Sequence, residues 1–347
     1  MSLPVLSRRG FLAAGLGTAL LTLAACGEGA PGEGAGQSPA GAASPSAPAS
    51  AAGPWTFTDD RGKKIDLPKR PERIVAQVGA AAALWDFGVR PTAVFGPHKL
   101  KDGSKDPQAG SVDITKVESI GNVWDEFNVE KYISLQPELL VSGMYTGDAL
   151  WYVPEKSAAT IEQVAPTLGI RLVGKSLPQL IGRYGELAAA LGADLNAPEV
   201  TAAKAKFEAA AKALPTPENK ALKIMVMAGG PEALWVANPA DHVDVGYFKE
   251  LGLDVVVPEK IDKAGFWQTL SWENADTYKA DVILVDARTQ SMKVEEMMKK
   301  PTFAQLPAVK AGQVYPWQAE EPYSYQGYAS VLEELAVNLA KARKLEG

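Results

Sequence analysis

Aromatic and charged side chains gather in the turn-rich segments that follow short apolar runs. In the first half these segments hold Gln77, His98, Lys99, Trp124, Met144, Tyr145, Trp151 and Tyr152. In the second half they hold Trp235, His242, Phe266, Trp267, Arg288, Thr289, Glu320, Tyr323 and Tyr325. Surface anchoring or packing between loops accounts for any one of these rings, but not comfortably for the group. Aromatic walls with a few polar donors suit a bulky ligand that is partly apolar and partly polar. Ligation of a bare metal ion is poorly provided for, with two histidines, His98 and His242, and one cysteine, Cys26. A single cysteine also excludes an internal disulfide and any multi-cysteine cluster. Nor is a catalytic set visible. There is no Gly-x-Ser-x-Gly, and the small-residue run Gly79 to Ala83 lacks the spaced glycines and lysine of a phosphate loop. The expected class is a binding protein, not an enzyme, with no cofactor of its own.

Two α/β halves are expected to position these residues. Arg73 to Val78, Thr92 to Phe95, Leu139 to Ser142 and Ile170 to Val173 read as strands, separated by helical patterns over Ala80 to Phe87, Asn128 to Leu135 and Ala158 to Ala165. The alternation resumes with strands Lys223 to Met227, Asp254 to Val257, Val282 to Val285 and Gln313 to Tyr315, and closes on a helix from Gly327 to Lys344. Short apolar strands alternating with helices predict a mainly parallel sheet in each half. Between the halves, Leu180 to Leu191 reads as a helix ended by Gly192. A longer helix follows, entered through Asn196 and Pro198, with Asn196 and Glu199 spaced as a capping box. A rigid helical crossover of this kind makes the cleft between two lobes the working surface, since open α/β sheets bind at the carboxyl ends of their strands.

The chain has 347 residues, enough for two cores, and its formal charge of −6 offers no basic footprint for nucleic acid. Residues 1–25 read as an export signal: Ser7-Arg8-Arg9-Gly10-Phe11-Leu12 is a twin-arginine pattern before an apolar run too short to span a bilayer. The run ends Leu23-Ala24-Ala25-Cys26, which resembles the lipobox of bacterial lipoproteins, so Cys26 is the expected site of lipidation. Residues 26–54 are rich in Gly, Ala, Pro and Ser and are expected to form a disordered tether. The folded part then divides into an N-terminal lobe (55–176), interlobe helices (177–216) and a C-terminal lobe (217–347).

From Arg73 to Arg343 the chain resembles the solute-binding proteins of iron-siderophore, haem and cobalamin ABC importers. The resemblance is carried by Glu126-Phe127-Asn128-Val129-Glu130 and Leu135-Gln136-Pro137-Glu138-Leu139-Leu140, where Glu138 replaces the family's usual aspartate. It is carried further by Ser271-Trp272-Glu273 and Ala280-Asp281-Val282-Ile283-Leu284-Val285. The resemblance implies two lobes bridged by a long helix, modest lobe motion, and one exposed glutamate per lobe, here Glu126 and Glu273, meeting arginines of a membrane permease. Both glutamates are equally placed to act as favourable carboxylates at helix starts.

Within that family, a ferric siderophore brings iron already wrapped in oxygens, which fits a chain with many rings and few metal ligands. Because the loops offer one arginine and a few lysines, a neutral or cationic hydroxamate complex is expected in preference to an anionic catecholate. Haem or cobalamin is the alternative cargo, and a ligand-sensing or adhesion lipoprotein is the alternative of another class. The expected site is a cleft walled by Trp124, Tyr145, Trp151, Trp235, Tyr323 and Tyr325. Arg288, whose fork of donors never deprotonates, would meet the hydroxamate oxygens. The protein is expected to act as an extracytoplasmic, lipid-anchored monomer.

Overall fold

The computed structural model describes residues 53–345. The leader, Cys26 and nearly all of the tether lie outside the described residues. The first structured element is an antiparallel hairpin, β1 (Trp55–Thr58) with β2 (Lys64–Leu67). Its turn is tied to the body by two aspartates. Asp59 accepts from the Gly169 backbone N–H at 3.0 Å, and Asp60 pairs with Lys175 at 2.6 Å and Arg183 at 2.9 Å.

The first sheet contains β3 (Ile74–Gln77), β4 (Ala93–Phe95), β5 (Glu118–Ser119), β6 (Leu139–Met144) and β7 (Thr167–Arg171), in the order β5-β4-β3-β6-β7. Every pairing in it is parallel. Strands β3, β4 and β6 are buried along their whole length, as apolar strands covered on both faces must be. The helix Val78–Asp86 begins directly after β3, where the Gln77 side chain accepts from the Gly79 N–H at 2.9 Å. Its run of alanines, Ala80 to Ala83, is buried and lets the helix approach the sheet closely.

The second sheet contains β8 (Lys223–Gly229), β9 (Ala233–Ala237), β10 (Asp254–Val255), β11 (Trp267–Ser271), β12 (Val282–Asp286) and β13 (Val314–Trp317). The order is β11-β9-β8-β12-β13, with β10 also paired to β8. Strands β8, β10, β12 and β13 are mutually parallel, whereas β9 runs antiparallel to both β8 and β11. The β8–β9 hairpin departs from the sequence reading, which placed Trp235 in a loop. The chain reverses within Gly230–Glu232, closed by Gly230 N–H to the Ala233 carbonyl at 2.9 Å, so residues 233–237 return as a strand. After β11 the chain makes a single 3₁₀ turn, Trp272–Asn274.

The crossover is a pair of helices, Leu177–Ala190 and Pro198–Ala213, separated at Gly192, whose φ is +92°. Asn196 is not the cap of the second helix. Ala197 occupies that position with no side-chain cap, and the Asn196 N–H is taken by the Asp194 carboxylate at 2.9 Å. The apolar stripe Leu177, Leu180, Ile181, Tyr184, Leu187 and Ala188 recurs at helical spacing and is buried. Phe207 of the second helix stacks on Tyr247, with ring centroids 5.8 Å apart, and tilts against Tyr325 of the closing helix Tyr325–Leu339. One hydrophobic cluster joins Ala76 and Val141 of the first sheet to Val226 and Leu284 of the second through these helices. The lobes share a core as well as a chain connection.

Candidate functional site

The site is built where β6 and β12 end. After Met144 the chain presents Tyr145 and turns back at Trp151, whose N–H donates to the Gly143 carbonyl at 2.8 Å while the Ser142 hydroxyl donates to the Trp151 carbonyl at 2.8 Å. Tyr152 follows with a φ of +61°, a conformation that costs a bulky residue energy and fixes the directions of both rings. Trp151 meets Tyr145 and Trp124 edge to face, each at 4.8 Å, and Trp124 lies 5.0 Å from Tyr152. Trp124 is 59% exposed and forms the rim.

From the other lobe, Phe266 lies against Tyr145 at 5.9 Å. His242 sits among Phe266, Trp267 and Trp317 at 5.6, 4.4 and 5.5 Å. Aromatic contact therefore runs without a break from Trp124 to Trp317 across the lobes. Burial pushes His242 down to about 4, so its imidazole is neutral and acts as one more ring of the wall.

Beside this wall lies a polar knot. The Arg288 guanidinium donates to Asp286 from Nε at 3.0 Å and from Nη2 at 2.8 Å, and to Glu320 from Nη1 at 2.5 Å. Asp286 closes β12 and is buried, so its carboxylate needs this partner two residues on. Across the seam, Gln108 Nε2 donates to Glu320 Oε2 at 2.9 Å, and the Thr289 hydroxyl donates to Asp106 of the opposite lobe at 3.3 Å. Burial raises the Glu320 pKa against the opposing pull of Arg288. Burial also works against the charge of Arg288, but Glu320 and Asp286 outweigh it and hold the guanidinium firmly protonated. The Trp151 indole N–H is buried near Glu320 without a well-formed hydrogen bond, and Gln108 Oε1 and Ser291 Oγ are buried without partners.

Of the seven expected site residues, five meet here: Trp124, Tyr145, Trp151, Arg288 and Tyr323. The Tyr323 ring is buried, stacked between Tyr184 and Tyr328, and its hydroxyl faces that of Tyr145. Trp235 and Tyr325 are placed elsewhere. Trp235 is mid-strand in β9, opposite Ala228 and Thr269, with its ring over Gly230. Tyr325 opens the last helix and packs on Phe87 and Phe207. Asp106, Gln108 and Asp286 were not foreseen. Asp286 carried a signal, an acid ending the apolar run Val282 to Val285 two residues before Arg288. Asp106 caps the 3₁₀ turn Pro107–Ala109 that holds Gln108, and nothing in its spacing pointed across to the other lobe. At this point the two lobes touch through Tyr145 and Phe266, Gln108 and Glu320, and Asp106 and Thr289. Glu126 and Glu273 are both exposed, Glu126 two residues beyond the rim residue Trp124 and Glu273 in the 3₁₀ turn Trp272–Asn274. Among the described residues no group of three or more His, Cys, Asp or Glu side chains is arranged to hold a metal ion.

Residues 74–321 match the family model described as periplasmic binding protein. The chain belongs to the periplasmic binding protein family. This family consists of binding proteins, not enzymes. Among solved members, a ferric-siderophore receptor protein, DesE, from Streptomyces coelicolor is 41% identical, with a TM-score of 0.80, covering 84% of this chain and 100% of that one. The Fe(3+)-citrate-binding protein YfmC of Bacillus subtilis (strain 168) is 26% identical over 74% of this chain and 76% of its own length. The iron(3+)-hydroxamate-binding protein YxeB of the same organism is 23% identical over 83% of this chain and 87% of its own. The two-lobed α/β fold of this periplasmic binding protein is the one those relationships imply.

Proposed function

We propose that the chain captures a ferric siderophore of the hydroxamate type in the seam between its lobes and delivers it to an ABC import permease. The observation that carries this reading is the aromatic wall beside one guanidinium. Arg288 has five N–H donors, of which Asp286 and Glu320 take three, leaving two for oxygens of a bound complex. The charged side chains paired with its guanidinium are the carboxylates of Asp286 and Glu320, with Asp106 across the seam, so a polyanionic catecholate complex meets their repulsion and a neutral trihydroxamate does not. The names of the relatives, a ferric-siderophore receptor and an iron(3+)-hydroxamate-binding protein, support the same cargo. Titration of tryptophan emission with ferric trihydroxamate, ferric tricatecholate, ferric citrate, haem and cobalamin tests it. Saturation by the trihydroxamate at the lowest concentration is expected, and preference for any other complex would replace the assignment.

The remaining parts of the reading concern where the protein works. Cys26 carries a lipid that holds the monomer at the outer face of the cell membrane, and Glu126 and Glu273 orient it on the permease. Cys26→Ala should release the full-length protein from the membrane fraction with ligand binding intact. Retention of that variant in the membrane would remove the anchor from the account.

A further inference from the structure

The polar knot contains a carboxylate in the place a ligand oxygen should take. Glu320 receives Arg288 Nη1 at 2.5 Å and, through its other oxygen, Gln108 Nε2 from the opposite lobe at 2.9 Å. The Thr289 hydroxyl to Asp106 contact at 3.3 Å spans the same seam. Glu320 is thus a bridge between the arginine and the far lobe, with its side chain 14% exposed. Around the bridge hydrogen bonding is incomplete. The Trp151 indole N–H is turned toward Glu320 without a well-formed hydrogen bond, and Gln108 Oε1 and Ser291 Oγ are buried with no partner, although buried polar groups are nearly always satisfied. A seam crossed by two hydrogen bonds, one of them to a carboxylate that Arg288 holds within its own lobe, with unpaired acceptors beside it, is arranged to exchange partners.

We propose that Glu320 is an internal competitor for Arg288, and that its release from Gln108 and Arg288 is the step that opens the seam to ligand. The inference rests on the reading that this seam is the ligand site. A complex entering beside Trp151 presents oxygens to Arg288 and to the Trp151 N–H that now faces Glu320, and Glu320 swings out with loss of the Gln108 contact. Because the competent, unlatched state is only partly populated, observed affinity is reduced by that fraction. Glu320 then acts as a specificity-determining residue. Only a ligand whose oxygens bind the guanidinium better than a carboxylate already in place displaces it, and weak oxygen donors are refused.

Two readouts on the full chain test the proposal. In ligand-free protein, Glu320→Ala and the contact-breaking Gln108→Leu should both accelerate amide hydrogen exchange in the facing loops 105–111 and 287–291. In titration with a neutral ferric trihydroxamate, Glu320→Ala should bind about tenfold more tightly, equivalent to about 1.4 kcal/mol, and Gln108→Leu should gain less. Combining Glu320→Ala with Arg288→Ala should abolish the gain, because no guanidinium remains to compete for. Where the alanine variant fails to fold, the isosteric Glu320→Gln keeps the packing and should show the same direction with a smaller gain. Unchanged exchange in both loops, or equal or weaker binding by folded Glu320 variants, overturns the proposal. If the unaltered protein binds no ferric trihydroxamate, the cargo assignment fails while the exchange experiment still judges the latch.

Discussion

The chemistry of Arg288 couples stability to binding. Its removal strands Asp286 and Glu320 in a buried place, and breaking one side of a buried ion pair typically costs about 3–5 kcal/mol. Arg288→Ala should therefore melt lower and bind a ferric trihydroxamate more than about tenfold more weakly, by loss of a charged hydrogen bond. Arg288→Lys should recover only part of the binding, since an ammonium lacks the fork. Lower melting with unchanged affinity would reduce Arg288 to a support for the end of β12. A second residue, Glu321, gives a pH signature. Burial, with repulsion from Asp86, Asp244 and Glu334, raises its pKa from 4.5 to about 7. A raised carboxylate pKa means that the folded state binds extra protons between those values, so this contribution to stability is lost as pH rises from about 4.5 to 7. His242 acts in the opposite sense between about 4 and 6.5, so the test is a comparison between variants. Glu321→Gln should melt roughly 2–4 °C above the unaltered protein at pH 7.5 and no higher at pH 4. Parallel melting curves at both pH values would show that Glu321 is not strained.

At the scale of elements, the strands of the parallel sheets were legible because apolar runs of four to six residues are hard to mistake once helices separate them. What escaped was local reversal. The residues Ala233 to Ala237 look like the apolar end of a loop, and only the three-residue turn after β8 makes them an antiparallel strand, which moves Trp235 from the expected wall into a sheet. Tyr325 failed for a related reason: one residue after the N-cap Ser324, a side chain is aimed by the helix and not by the loop before it. The aromatic wall itself was readable from ring-rich segments, whereas the carboxylates that restrain Arg288 depend on contacts across the seam that no spacing encodes. Another element shows how the rim is held. Gly121 packs so closely that a Cβ there would overlap the Glu126 carbonyl, and Asp125 adopts a φ of +64° beside it. Gly121→Ala should push the Val123–Glu126 segment outward and destabilise the protein by roughly 1–3 kcal/mol. It should also unstack Trp124 from Trp151. Unaltered tryptophan emission and melting in that variant would show that the loop accommodates the methyl group freely.

At the scale of the molecule, capture and delivery should be separable. Glu126 and Glu273 are both exposed. Replacing both with alanine should leave affinity for a ferric trihydroxamate within about twofold, yet abolish stimulation of the permease in reconstituted vesicles, because rim charges set orientation and encounter more than affinity. A large loss of ligand affinity in the double variant would place these glutamates in the binding site instead. The shared core has a consequence of a different kind. Because one cluster runs from Ala76 and Val141 through the crossover helices to Val226 and Leu284, neither half encloses all of its own apolar surface. Each half produced alone would expose the face the other covers and would aggregate, whereas a chain nicked between Gly192 and Ala197 would stay joined and melt in a single transition. Such a protein cannot be inherited or engineered half at a time: exchanging one lobe with a relative's requires the crossover helices, and the ring pair Phe207 and Tyr247 that clamps them, to travel with it.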